Sequence, residues 1–211
     1  MTRPSAPDLL VLHAVRLLGF ADTPAVARRF ALDAASTQEL LLDAEAYGGV
    51  SRATFADLSG WSLTERGRAH GQALLADELA RTGSADDVHD VHRAFLPLNA
   101  RLQRACTDWQ LRPTPDDRLT TNDHTDHAWD ARVLDELAAI ERGLLPLAGR
   151  LAGLLTRFEG YDGRFAAARR RARAGEGAWV VGTDVDSCHR VWFELHEDLV
   201  ATLGVDRHAQ P

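Results

Sequence analysis

Apolar residues recur every three or four positions along most of this chain, and the recurrences stop at glycines, prolines and short polar clusters. "DLLVLHAVRLLG" carries Leu9, Leu12, Val15 and Leu17 or Leu18 at helical spacing, with Gly19 as a stop. "DTPAVARRFAL" opens on Asp22 or Thr23 as a cap, with Pro24 in the first turn. "STQELLLDAEAYGG" starts with Ser36 or Thr37 as cap and closes at a glycine pair. Three short helices joined by tight turns are therefore expected before residue 50. The period then changes. "VSRATF" and "GWSLT", on either side of a turn around Asp57 to Gly60, bring Val50, Thr54, Trp61 and Leu63, side chains that suit strands. Thr64 is placed to cap the long helix "ERGRAHGQALLADELAR", since its hydroxyl can accept from an otherwise orphaned amide.

Three helices, a two-stranded hairpin and a helix leaving it are the parts of a winged helix-turn-helix. On "LLDAEAYGGVSR" and "WSLTERGRA", the latter with its L-T-x-x-G-R approach to the next helix, the chain resembles winged-helix regulators of the MarR and PadR type. The resemblance covers roughly residues 8–80. It implies a third helix lying in the major groove, a second helix touching phosphate and a wing arginine on the backbone or minor groove. Carried over position by position, Thr37, Gln38, Glu39 and Leu42 fall on the exposed face of the third helix. Arg28 and Arg29 belong to the second helix, and Arg52 to the start of the wing. Gln38 suits adenine and Arg52 a phosphate. From Asp33 to Tyr47, however, the chain has Asp33, Glu39, Asp43 and Glu45 and no base, which opposes phosphate-dominated affinity.

After Gly83 the pattern is helical almost throughout. "ADDVHDVHRAFLPLNARLQRACTDWQL" places Val88, Val91, Phe95, Leu98, Leu102 and Trp109 on one face, with His92, Asn99 and Cys106 along its edge and Pro97 as an expected kink. "LRPTPDDRLTTNDHTDHAW" reads as a long polar loop. A helix interrupted by Pro146 is expected from Asp130 to Tyr161, then a basic helix "GRFAAARRRARAGEG", then "DVDSCHRVWFELHEDLVATLG". On that last helix His189, Trp192, Phe193, His196, Val200 and Leu203 share the face expected to be buried, opposite Glu194, Glu197 and Asp198. Buried polar groups need partners. Each histidine either packs as a core aromatic bonded to a helix carbonyl, or lines an effector pocket with Asn99, Trp109, His189, Trp192 and His196 as ligand-binding residues. The expected fold class is mainly α: a winged helix-turn-helix domain with a small β-hairpin wing over residues 1–82, then a helical bundle for effector binding and dimerisation over 83–211.

Composition narrows the function classes. With 45% hydrophobic and 26% charged residues the chain suits an ordinary globular protein. All 24 basic residues are arginine, and the net charge is −7, so any nucleic-acid contact has to come from a local patch. Residues 1–75 are nearly neutral, with seven arginines against eight acids. No apolar run reaches the roughly 20 residues of a membrane span. The opening "MTRPSAPD" lacks a signal-peptide pattern and Cys106 and Cys188 need not pair, so a cytoplasmic location is expected.

Catalytic signatures are missing. There is no glycine-rich phosphate loop, nucleophile elbow or Cys-His pattern, and no carboxylate spacing argues for paired acid/base work, so no enzyme activity and no cofactor are expected. "HDVH" (His89, His92) and "HTDH" (His124, His127) have i, i+3 spacings that can hold a divalent ion, but the signal is weak and no metal is assigned. The run from Arg169 to Arg173 reads as a solvated face paired with nearby acids, or else as a phosphate stripe. The resulting expectation is a cytoplasmic, homodimeric transcriptional regulator that binds double-stranded operator DNA, with a small-molecule effector in the helical part. The alternative is a protein-interaction module built on a winged helix, without DNA binding.

Overall fold

A computed structural model describes residues 3–55 and 58–205; the side chains of Phe55 and Leu58 lie outside that description. The protein is mainly helical with a small two-stranded antiparallel sheet. It divides into two compact units, one formed by residues 1–86, 154–157 and 196–211, the other by 87–153 and 158–195.

The first unit begins with α1 (Pro7–Leu18), α2 (Thr23–Arg29) and α3 (Ala34–Ala46). Val11, Leu12, Ala14 and Val15 of α1 pack with Val26, Leu41, Val50 and Trp61 into one core. Burial of that apolar face holds helices this short, since so few residues are marginal alone in water. Asp22 caps α2 through a bond from the Ala25 amide (2.8 Å). The cap of α3 differs from the sequence expectation. It is Asp33, whose carboxylate accepts from the Ser36 amide (2.8 Å), while Thr37 lies inside the helix and donates its hydroxyl to the Asp33 carbonyl (2.7 Å). Aspartate competes well for the cap because its carboxylate also answers the positive end of the helix.

The hairpin pairs β1 (Val50–Phe55) with β2 (Leu58–Leu63) in antiparallel register, Val50 opposite Leu63 and Arg52 opposite Trp61. Asp57, where the turn was expected to begin, lies outside the described residues, and Leu58 to Gly60 are already strand. A bridge between Ala21 and Trp61, bonded in both directions at 2.8 and 3.2 Å, adds a residue of a third strand between α1 and α2. Thr64 then caps α4 (Glu65–Thr82) as expected, accepting from the Gly67 amide (3.0 Å) and donating to the Gly48 carbonyl (2.6 Å). Gly67 is needed there because a Cβ would sit 1.7 Å from the Gly49 carbonyl oxygen.

The second unit is helical: α5 (Ala85–Gln110), α6 (His127–Leu154), α7 (Tyr161–Arg173), the single turn α8 (Ala178–Val181) and the first half of α9 (Cys188–Leu203). Val88, Val91, Phe95, Leu102 and Trp109 are buried along α5 as the periodicity predicts, and Leu98 is half-buried. The helices run on through Pro97 and Pro146, both on exposed positions, where water can take the carbonyl that each proline leaves without a donor. The helix expected from 130 to 161 starts earlier and ends at Leu154. A short 3-10 turn at Thr156–Phe158 and Gly160, at φ +88°, separate it from α7. The polar stretch after α5 is pinned: buried Asn122 donates to the Trp109 carbonyl (3.1 Å) and to Asp130 (2.9 Å), and Asp126 caps α6.

Candidate functional site

The surface formed by α2, α3 and the hairpin is organised around one chain of hydrogen bonds. The Trp61 indole donates to the Thr23 hydroxyl (3.0 Å), which donates to the Gln38 side-chain oxygen (2.7 Å). Trp61 itself is 2% exposed and anchored by its bridge to Ala21. One buried aromatic on the hairpin thereby sets the start of α2 and the middle of α3. Gln38 is half-buried, its oxygen is used, and its amide nitrogen is left as a donor.

The residues predicted to face a duplex separate into three groups. Glu39, Leu42, Arg28 and Arg52 are exposed, Leu42 by 45%. Arg52 lies over the Trp61 ring, 5.5 Å from its centroid. Thr37 is a correction: it is fully buried, because the carbonyl bond to Asp33 turns it into the helix. Arg29 differs from Arg28. It is half-buried, stacks on Phe30 at 4.6 Å, and its charge acts on Asp198 and His13 in the interior. Of the four acids noted around α3, Asp33 is used as the cap, and the bonds from Ser36 hold its carboxyl below the usual range. Glu39, Asp43 and Glu45 remain exposed.

Beside this surface, α1, α3 and α4 enclose a cleft of about 480 Å³. Val11, Leu12, Leu40 and Ala44 make it apolar, while Asp8, Asp43, Arg66 and His70 supply polar groups, with Tyr47 73% exposed at one side.

Deeper in the same unit lies a group of charges that sequence reasoning missed. The Arg157 guanidinium bonds Glu78 (2.9 Å), Asp198 and the Thr202 hydroxyl (2.8 Å), and His13 Nε2 lies 2.9 Å from Asp198 Oδ1. The side chains of His13, Arg157 and Asp198 are at most 1% exposed. Burial alone would raise the Asp198 carboxyl, yet the Arg157 charge and the hydrogen bond from His13 hold it well below the usual carboxylate range. Burial lowers His13, which is therefore neutral and donates from Nε2. No signal in the sequence marks this group, because its members come from four separated stretches.

In the second unit, Asn99 and Trp192 are brought together: the indole donates to the Asn99 oxygen (3.0 Å) and the ring stacks on Phe95 at 4.7 Å. Trp109 instead meets His124 at 4.6 Å. Trp192 and Val200 are buried on α9 as expected, but the rest of the buried face is displaced around the helix. His189 and Phe193 are exposed, while Cys188, Val191, Glu194, Leu195 and Asp198 are buried and His196 is half-buried in the first unit. The physical reason is arginine. Arg164 bonds Glu194 (2.8 Å) and Asp186, which lets a glutamate lie inside. Burial by itself would lower Arg164, but the bonds to Asp186 and Glu194 raise it beyond its ordinary value.

The i, i+3 histidine pairs do not converge. His89 is exposed and His92 buried, and His124 is bonded to Asp130 (3.0 Å). Among the described residues no group of three or more His, Cys, Asp or Glu is placed to hold a metal ion. Within the run from Arg169 to Arg173, Arg169 pairs with Glu141, Arg171 with Glu176 (2.6 Å) and Arg173 with Asp135 (2.8 Å). No helix among the described residues is long and apolar enough to cross a membrane. No protein-family model, curated protein or solved structure matches the chain.

Proposed function

We propose that residues 7–63 act as a winged helix-turn-helix that binds double-stranded DNA, within a homodimeric, cytoplasmic transcriptional regulator whose helical second part holds a small-molecule effector. The observation that carries this reading is the Trp61–Thr23–Gln38 chain of hydrogen bonds, which couples the hairpin to α2 and α3 through a buried ring. A base-reading side chain works only when its orientation is set beforehand, and here a rigid partner sets it. With one lone pair of its oxygen engaged by Thr23, Gln38 still offers its amide N–H groups, which suit the acceptors of a purine N7, guanine O6 or thymine O4. Exposed Glu39 suits the cytosine amino group, and Leu42 the thymine methyl. Arg28, in the last turn of α2, and Arg52, on β1, supply the phosphate contacts. Two such contacts give a modest salt dependence, with a log–log slope of about −2.

Fluorescence anisotropy on the DNA flanking the protein's own gene tests this reading. Arg28→Ala and Arg52→Ala are each expected to weaken binding and to reduce the slope by about 1. Absence of binding at low salt would overturn the proposal. A dimer engaging two half-sites needs its paired α3 helices about 34–36 Å apart, and an effector changing that spacing would regulate it.

A second reading is favoured by one observation: the exposed side of α3 carries Glu39, Asp43 and Glu45 beside Leu42 and Tyr47, next to the apolar cleft. That chemistry suits a basic protein partner. In that case the DNA titration stays flat at every salt concentration, and Leu42→Asp abolishes capture of the partner.

A further inference from the structure

In the second unit, α5 and α6 frame a depression of about 280 Å³ on a surface that the regulator reading does not use. Ala105 and Val133 form its buried floor; Arg101, Arg104, Arg132, Trp129, Asp108 and Glu136 surround it. Three arginines face two carboxylates there, in a protein with a net charge of −7.

The arginines are not equivalent. Arg101 is used: it forms two parallel bonds with Glu136, at 2.7 and 3.0 Å, and these hold the Glu136 carboxyl below its usual range. Arg104 and Arg132, one from each helix, have no carboxylate in hydrogen-bond reach among the described residues. Arg132 lies over the Trp129 ring at 4.9 Å, and that ring is fixed in turn because its indole N–H donates to the Asp108 carbonyl (2.6 Å). The indole therefore contributes its face and no donor. Asp108 is exposed, where water screens its carboxylate.

We infer that this depression binds the phosphate group of a small organic phosphate between Arg104 and Arg132. A guanidinium presents a planar fork of donors, and two forks on opposite helices need an anion with oxygens directed to both sides. A phosphate has three free oxygens and nearly two charges, whereas a carboxylate satisfies one fork only. Arg132 is already held on Trp129, and Glu136 is neutralised by Arg101, so neither must be rearranged before binding. The size sets the class of ligand. At about 280 Å³ the site lies at the lower edge of small-molecule pockets, which admits a phosphorylated metabolite and excludes a polymer lying lengthwise.

Calorimetric titration of the full chain with phenyl phosphate, inorganic phosphate and benzoate tests this. Saturable binding of phenyl phosphate is expected, tighter than that of benzoate, with inorganic phosphate competing for the same site. Arg104→Ala and Arg132→Ala should each lower the affinity about tenfold or more, and the double variant should abolish it. Both side chains are exposed, so the variants should keep the wild-type melting curve, and Arg171→Ala serves as a control with binding unchanged. Absence of saturable heat, binding that survives in the double variant, or benzoate binding as tightly as phenyl phosphate would each overturn the assignment. The outcome does not depend on whether the first unit binds DNA.

Discussion

His13 Nε2 and Asp198 Oδ1 lie 2.9 Å apart inside the first unit, joining residues 185 positions apart in sequence. Asp198 also receives the Arg157 guanidinium, and Arg157 in turn holds Glu78, so four ionisable side chains share one buried cluster. Each would be costly alone. Together they tie α1, α4, the 3-10 turn and the end of α9 into one unit.

Removing the central cation should be the most damaging single change in that group. Arg157→Met leaves Glu78 and Asp198 buried without their counter-charge, and a loss of about 3–5 kcal/mol is expected in urea unfolding. Asp198→Asn should cost less, since the amide oxygen still accepts from Arg157 and buried Glu78 keeps Arg157 as its counter-charge. Equal losses in the two variants would show that packing rather than charge governs the site.

The network also sets a pH dependence whose sign follows from the two shifts. Burial lowers His13, so as pH falls below neutrality the unfolded chain takes up a proton that the folded one refuses, and stability falls as pH falls through 6.5. Asp198 is depressed when folded, so its contribution is present above about pH 4 and is lost in stronger acid. In His13→Gln the amide nitrogen can still donate to Asp198, and the imidazole at this position is gone. The urea midpoint of that variant should change less between pH 7.5 and 5.5 than the wild-type midpoint.

Cys106 and Cys188 are buried, and burial pushes both thiols up to about 12. Neither is a thiolate near neutral pH, so neither is nucleophilic in the folded state. Titration with a chromogenic disulfide at pH 8 should release little colour from the native protein and two equivalents after denaturation. Rapid native reaction at either cysteine would contradict the burial.

At the junction of hairpin and α4, Gly67→Ala should be poorly tolerated although alanine favours helix. The added Cβ would lie 1.7 Å from the Gly49 carbonyl oxygen, a contact with backbone that cannot rotate away. A loss of about 1–3 kcal/mol is expected from thermal unfolding. Gly83→Ala is a useful comparison: space is free there, but the residue sits at φ +65° in the cap of α4 and pays only the backbone strain.

Much of the first unit was legible because its signals are local. Pro24 after Asp22, Thr64 ahead of a glycine and the switch from helical to strand spacing at Val50 each act within a few residues, and the helices and hairpin follow them. Exposed Arg28, Glu39, Leu42 and Arg52 were found the same way. Thr37 was misplaced because the adjacent Ser36 and Thr37 were read as the cap, whereas the carboxylate of Asp33, three residues before Ser36, took the helix start.

Where partners are remote in sequence, periodicity reads wrongly. On α9 the aromatic and histidine stripe outweighed Glu194 and Asp198, so both acids were assigned to water. Their burial depends on Arg164 and Arg157, which sit 30 and 41 positions away and leave no mark in any helical window. Local propensities and spacing determined which stretches of this chain become helix or hairpin. Tertiary structure alone decided which charges could leave water, because only folding brings a guanidinium close enough to replace the lost hydration.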